Sequence, residues 1–411
     1  MMKKYIKRAG RLVIPATLLF LLVLMSGCHK KTAPLPTSTL PASLTWTVTP
    51  AAVAHATSAV SPTATATISP FPTSTPTLAT ATTPSSLPTA TPTPTATPFP
   101  PGPPSKLGVF VGRNDPQLFD LLRTGNLAVV KTTEYDSNFV AEIKATDPDV
   151  FLVARLGDLP QIDLEHWDPI AEAHHFADRL LPIATEPQRL AAIDCWEAYN
   201  EPVPSNEMQM ARLAQFEAER VRLLAQAGVK SCIGNFSMGH PDLALWPAFY
   251  PALQAAKTYH GYLALHEYSA PYMWNDTNVA PQRNPNAMVE DEGWLTLRYR
   301  KVYRQYLQPA GLDIPLVITE TGVDGVPPNA NQGSGWRGFI PLWQEEGMIR
   351  TTDFGFYMEQ LAWYDSELQK DDYVIGAAIF TLAGTAGWES YEIGGPWLTI
   401  FKQYLSVHPP H

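Results

Sequence analysis

From residue 106 onward the chain alternates short runs of β-branched and aliphatic residues with longer segments whose apolar positions recur every three or four residues. The short runs fit strands buried in a sheet and the longer ones fit helices lying over it, so the alternation predicts βα units around a parallel sheet. Eight strands are expected: Leu107 to Val111, Leu127 to Thr132, Val150 to Leu156, Cys195 to Glu201, Ser231 to Ser237, Tyr262 to Ser269, Leu316 to Gly322 and Val374 to Leu382. The clearest helical patterns run over Ile170 to Ala184, Met208 to Gln226, Trp294 to Leu307 and Phe354 to Leu368. Pro116, Pro169 and Pro247 are expected at or near helix starts, where a missing N–H costs little.

Eight βα units over roughly 300 residues define an α/β fold of the (β/α)8 TIM-barrel type, which typically needs about 250 residues plus loop additions. The competing architecture is an open doubly wound sheet. It is disfavoured because the first βα turn, Gly108 to Asp115, lacks the GxGxxG phosphate loop.

Two motifs place a glutamate where a strand ends: Tyr199-Asn200-Glu201-Pro202 after the fourth and Ile318-Thr319-Glu320-Thr321-Gly322 on the seventh. The carboxyl-terminal strand ends form the catalytic face of such a barrel. Paired carboxylates at that face point to glycosidic-bond hydrolysis: one attacks the anomeric carbon while the other protonates the departing oxygen, then activates water. The retaining version needs the two groups about 5 to 5.5 Å apart. Glu201 would be the acid/base and Glu320 the nucleophile, so their environments should push the two pKa values apart.

On these motifs residues 106 to 411 resemble clan A of the glycoside hydrolases. The resemblance implies that Asn200 binds the sugar 2-hydroxyl, Glu201 is the acid/base and Glu320 the nucleophile. His266-Glu267-Tyr268 on strand 6 is similar to the His-x-Tyr pattern of family 5, in which the tyrosine hydroxyl bonds the nucleophile. The second strand departs from that family, reading Val129-Val130-Lys131-Thr132 where an arginine is usual. Arg155 on strand 3 is the nearest candidate for that role, and families 39 and 128 stay open as alternatives.

Strand alternation puts His266 and Tyr268 on one face and turns Glu267 towards the helices as a structural carboxylate. It also puts Asn200 and Glu201 on opposite faces, so an irregularity at the end of strand 4 is required to bring both into one site. Glu197 should face inward below Glu201, where a buried carboxylate needs a partner; Lys131 or Arg155 could supply it. Glu134, Asp136 and Asp158 also end strands and are lesser candidates for substrate contact.

The loops after strands 6, 7 and 8 are long and aromatic, carrying Trp274, Trp336, Trp343, Trp388 and Tyr391. Flat rings suit the C–H faces of a sugar. Trp388 is the first choice as a platform, matching a tryptophan that clan members often place after strand 8, and Trp274 is a further substrate-binding candidate. For the remaining tryptophans, packing under a loop is at least as good a reading. Asn329 to Gly338 reads equally as a lid over the site or as a disordered segment.

The first 27 residues read as a lipoprotein signal peptide. Lys3, Lys4, Lys7, Arg8 and Arg11 precede the apolar run Leu12 to Met25, and Ser26-Gly27-Cys28 resembles the end of a bacterial lipobox. Cys28 would then carry lipid. The alternative, an uncleaved membrane anchor, suits less well a run of 14 residues interrupted by Pro15. Residues 28–105 read as a disordered Pro/Thr/Ser/Ala-rich linker, uncharged between Lys31 and Lys106, which cannot build a core. Fully extended, at about 3.1 Å per residue, it would reach on the order of 200 Å. The expected location is therefore extracellular or cell-surface, lipid-anchored to the membrane.

The formal charge is −10, and removing the five basic residues of the leader takes it to −15. This excludes nucleic acid as a partner and fits a neutral carbohydrate. Cys195 and Cys232 fall on neighbouring strands and are expected as buried free thiols, with a disulfide permitted by an oxidising compartment. Their spacing has no metal-site pattern, and neither metal nor organic cofactor is implied. The sequence thus predicts a retaining β-glycosidase on a barrel scaffold, the alternative being a non-catalytic carbohydrate-binding lipoprotein that keeps the cleft aromatics.

Overall fold

The computed structural model describes residues 103–275, 291–350 and 354–408. The leader, Cys28 and the linker as far as residue 102 lie outside the described residues.

Eight parallel strands form the barrel: β1 (Leu107–Val111), β2 (Val129–Thr132), β3 (Phe151–Ala154), β4 (Cys195–Trp196), β5 (Cys232–Phe236), β6 (Tyr262–Ser269), β7 (Leu316–Gly325) and, after a two-residue antiparallel strand β8 (Ser334–Gly335) that pairs with β7, β9 (Val374–Ala383). Their order around the barrel is β4-β3-β2-β1-β9-β7-β6-β5. The two ends of that path meet through a single bridge, Trp196 to Ser231, so the β4/β5 junction is a seam with almost no ladder.

Other groups close that seam. Arg220, fully buried on helix Glu207–Gln226, donates to the carbonyls of Trp196 (3.2 Å) and Cys232 (2.8 Å), and its charge is matched by Glu217 at 2.6 Å. Inside the barrel Cys195 and Cys232 form a disulfide. The expectation of two free thiols is therefore corrected: adjacent strands bring the Cα atoms to 5.6 Å, well inside bridging distance.

Helix starts follow the sequence chemistry. Asp115, Asp168 and Asn206 each cap a helix by accepting from backbone N–H groups two or three residues on, and Pro116 and Pro169 take the first helical position. Pro247 is the second residue of helix Trp246–Thr258. Strands 1 and 6 have the expected bounds. Strands 3 and 4 are shorter than expected, because after Ala154 and Trp196 the chain leaves the ladder to build the upper face. The expected helix Trp294 to Leu307 begins later, at Arg298, and widens into a π-turn over Tyr303–Leu307.

The barrel interior is layered by strand alternation. Val129, Val153, Cys195, Cys232, Ala264, Val317 and Ala378 form one apolar tier. Two residues further along the chain from five of these stand Lys131, Arg155, Glu197, His266 and Phe380, with Gly234 and Thr319 at the corresponding positions of β5 and β7. The floor of the barrel is thus small and dry, and the tier above it is charged.

Candidate active site

Both motif glutamates reach the centre of this upper tier through breaks in strand alternation. On β7 the register with β6 passes from Leu265↔Ile318 to His266↔Glu320, so one extra residue, Thr319, is accommodated as a bulge. After β4 the backbone of Glu201 adopts a left-handed φ of 47°, uncommon for a residue with a Cβ and often found where geometry is set by function. Tyr199 packs outward against Phe176 and Phe216 and donates to Glu172. Asn200 accepts from Arg155, while Glu201 Oε1 lies 2.9 Å from His266 Nδ1. The irregularity required at strand 4 is present.

Glu320 is the most heavily partnered group in the site. Its Oε1 accepts from Lys131 Nζ at 2.7 Å and lies 3.6 Å from Arg155, and its Oε2 accepts from the Tyr268 hydroxyl at 2.9 Å with His266 Nδ1 at 3.5 Å. Burial raises a carboxyl pKa, but the charges of His266, Lys131 and Arg155 outweigh it and hold Glu320 well below the usual range. Burial and the Glu320 charge push the Tyr268 phenol well up, which keeps it a donor.

Glu201 is more open, its side chain 32% exposed. Burial and the neighbouring Glu320 raise its carboxyl, yet the bond and charge of His266 win, and it too sits below its ordinary value. The two environments do push the carboxyls apart, but both downward in the free protein: Glu320 is depressed much further, and Glu201 is lowered rather than raised.

Beside Glu320 lies Glu197, fully buried, with Lys131 Nζ 2.9 Å from its Oε2 and Arg155 at 4.0 Å. Both partners named from the sequence thus approach it, Lys131 more closely. Burial raises its carboxyl, and Lys131, Arg155 and His266 more than offset that, leaving it lowered.

Glu201, His266 and Glu320 each present a possible ligand atom, all three within 4.8 Å of one another. By geometry alone they could accept a divalent cation. Lys131 already supplies positive charge to Glu320 at hydrogen-bond distance, which makes a second cation there electrostatically unfavourable.

Other expectations divide cleanly. Glu267 faces outward and is structural: its carboxylate accepts from the N–H groups of Leu297 (2.8 Å) and Tyr299 (2.9 Å) and from the Tyr364 hydroxyl (2.6 Å). Asp136 caps helix Ser137–Thr146, and Asp158 pairs with Arg179 at 2.5 Å. Trp388 is 42% exposed and stands edge-on to Phe380 at 5.0 Å, which in turn meets Tyr268 at 6.4 Å. Through Phe380 it is joined to the aromatic residues around Tyr268.

Trp274, in the loop after β6, is partly buried and packs on Tyr272, Phe356 and Trp363, in a cluster over helix Phe354–Leu368. Its ring supports the loop after β6. Trp336 and Trp343 are completely buried. The segment 329–338 is pinned rather than free, because Ser334–Gly335 pairs with β7 and the Gly335 N–H donates to Ser390 Oγ at 3.0 Å.

The sequence reading missed Asp324 and Phe110. Asp324 lies four residues beyond Glu320 and accepts from Tyr391 at 2.5 Å. Burial pushes its carboxyl up, and the charges of Glu201 and Glu320 add to this despite the Tyr391 bond. Phe110 joins Tyr268, Phe380 and Tyr391 in an aromatic wall. The parity of each residue on its strand was the signal available for both.

No protein-family model matches the chain, and no curated protein matches it. Solved structures do show likeness. A GH128 (subgroup II) endo-beta-1,3-glucanase from Sorangium cellulosum is 15% identical with a TM-score of 0.41, covering 74% of this chain and 99% of the other. The corresponding enzyme from Pseudomonas viridiflava is 15% identical with a TM-score of 0.39, covering 74% and 98%. A GH2 beta-galacturonidase from Eisenbergiella tayi is 11% identical with a TM-score of 0.47, covering 76% of this chain and 52% of its own. At these identities and scores the likeness bears on neither substrate nor mechanism.

Proposed function

We propose that the protein is a retaining glycoside hydrolase acting on β-glycosidic bonds of a poly- or oligosaccharide, with Glu320 as nucleophile and Glu201 as acid/base. The observation that carries this reading is the approach of carboxylate oxygens of the two residues to within 4.8 Å at the carboxyl-terminal face of a barrel. That approach suits the double-displacement geometry, whereas inversion needs about 6.5 to 9.5 Å between the carboxyls to admit water.

In the first step a Glu320 oxygen bonds to the anomeric carbon as the glycosidic C–O bond breaks. The bonding pair leaves with the aglycone oxygen, which takes the proton of Glu201. In the second step Glu201 removes a proton from water, the hydroxide oxygen bonds to the anomeric carbon, and Glu320 departs as carboxylate. Glu320 is already ionised by its neighbours, as a nucleophile must be. Glu201 has to carry a proton when the sugar is bound. A sugar covering its exposed edge adds desolvation, the cause that raises its pKa, and so opposes the pull of His266. Asn200, Arg155, His266 and Tyr268 surround the sugar position, and Trp388 offers it a flat face.

The test is incubation of the protein with 2,4-dinitrophenyl 2-deoxy-2-fluoro-β-glycosides of the gluco, galacto, manno and xylo series, followed by intact mass and peptide mapping. A single sugar on Glu320 is expected. A label on another residue would overturn the assignment, and a protein that neither labels nor hydrolyses the parent glycosides would be a sugar-binding module instead.

The same reading places the enzyme outside the cell, tethered through lipid on Cys28. The Cys195–Cys232 disulfide suits an oxidising compartment. Metabolic labelling with a fatty acid should mark the wild type and not Cys28→Ala; equal labelling of both would refute the anchor.

A further inference from the structure

Glu197 is a buried carboxylate that the two-step mechanism does not use. It is fully buried in the charged tier, and the neutral group beside it is the Thr319 hydroxyl. What otherwise faces Glu197 is charge. Lys131 Nζ lies 2.9 Å from Glu197 Oε2 and 2.7 Å from Glu320 Oε1, so one ammonium is shared by two carboxylates. Arg155 faces the same two oxygens at 4.0 and 3.6 Å. Lys131 itself is fully buried, with the Phe110 ring 5.6 Å away. Inside such a tier a charge contact is screened little, so how the cations divide between the two carboxylates matters to both.

We infer that Glu197 is a positioning residue for the nucleophile: it holds part of the charge of Lys131 and Arg155, leaving Glu320 ionised yet free to leave its ion pair and attack. This rests on the proposed function and extends it. When the Glu320 oxygen bonds to the anomeric carbon, Glu320 becomes an ester and loses its negative charge. Lys131 and Arg155 then face a neutral group, and the Glu197 carboxylate remains beside them as counter-ion. When water breaks the ester, the carboxylate of Glu320 reappears within reach of the same cations. A site with Glu320 alone would hold the nucleophile tightly in the ground state and leave the buried Lys131 and the partly buried Arg155 poorly compensated in the intermediate, a costly arrangement.

The two half-reactions should therefore respond differently to Glu197→Gln. The substitution keeps the shape and removes the charge, so Lys131 and Arg155 turn wholly to Glu320. Formation of the covalent intermediate should slow by roughly 10²-fold, the loss typical of a reacting group held out of its productive place, whereas its hydrolysis, in which Glu320 departs as an anion, should change little or quicken. With the 2,4-dinitrophenyl β-glycoside that the wild type hydrolyses best, kcat/KM should fall, the pre-steady-state burst of dinitrophenolate should vanish, and labelling of Glu320 by the matching 2-fluoro glycoside should slow in proportion.

Glu197→Asp, which retains the charge, should recover part of the labelling rate. A purely structural role predicts otherwise: equal loss in both half-reactions, tracking a lower melting temperature, with no preferential rescue by aspartate. That pattern, or a labelling rate for Glu197→Gln within threefold of wild type, would overturn the inference while leaving the two-glutamate mechanism intact. Failure of the wild type itself to label or turn over would instead remove the underlying reading, and the inference with it.

Discussion

The β4/β5 seam gives a stability prediction that can be worked from the structure. With one bridge between these strands, the disulfide is the covalent tie across the barrel's weakest junction. It closes a sequence separation of 37 residues, for which loss of loop-closure entropy in the unfolded chain gives about 4 kcal/mol. A domain of this size shifts by about 2 °C per kcal/mol, so Cys195→Ala/Cys232→Ala should melt roughly 6 to 8 °C lower. Calorimetry in a Cys28→Ser background removes the third cysteine from the comparison. Thiol titration of the unfolded, non-reduced protein in that background should find no free thiol. Arg220 should keep the reduced barrel folded, because its bonds to the Trp196 and Cys232 carbonyls survive. Two titratable thiols, or a melting temperature within 1 °C of the parent, would refute the argument.

Three further outcomes follow from buried charge. Arg220→Met leaves Glu217 buried without its cation and two carbonyls without donors, so a loss of about 3 to 5 kcal/mol is expected in denaturant unfolding; a loss under 1 kcal/mol would show that water repairs the seam. Glu267→Ala removes the acceptor for two backbone N–H groups and the Tyr364 hydroxyl. It should cost about 3 kcal/mol or more and speed amide exchange at Leu297 and Tyr299, whereas unchanged exchange there would show another acceptor. Glu320 and Glu197 have carboxyls depressed below their ordinary 4.5. Their stabilisation is therefore complete above the unfolded value and is lost as pH falls through the folded values. Below about pH 4.5, wild-type melting temperature should drop more steeply than that of Glu320→Gln, and parallel acid limbs would contradict the assigned shift.

How much of this was legible in the sequence depends on whether a residue's place follows from its own strand or from another. The eight strands, the capped helix starts, the inward pair His266 and Tyr268 and the outward Glu267 follow from local periodicity, because each strand of a barrel must bury one set of side chains inside and the other under helices. Asn200 and Glu201 broke that rule, and the break itself marked where the backbone had to turn. The bulge at Thr319 left no such mark, since Glu320 could be placed by its motif without knowing the register between β6 and β7. Three things depended on how closely elements approach one another. Cys195 and Cys232 were placed on neighbouring strands, but their bond needed the Cα atoms brought to 5.6 Å at the seam; the packing of Trp274 needed the helix Phe354–Leu368 beside its loop, and the sharing of Lys131 between two carboxylates needed three strands at one height. An inward lysine could be seen from β2 alone. Glu197 could be named as one possible partner, but the second contact, to Glu320, could not, because a buried cation is placed by the sum of charges around it, and in this barrel those charges come from β3, β4, β6 and β7 together.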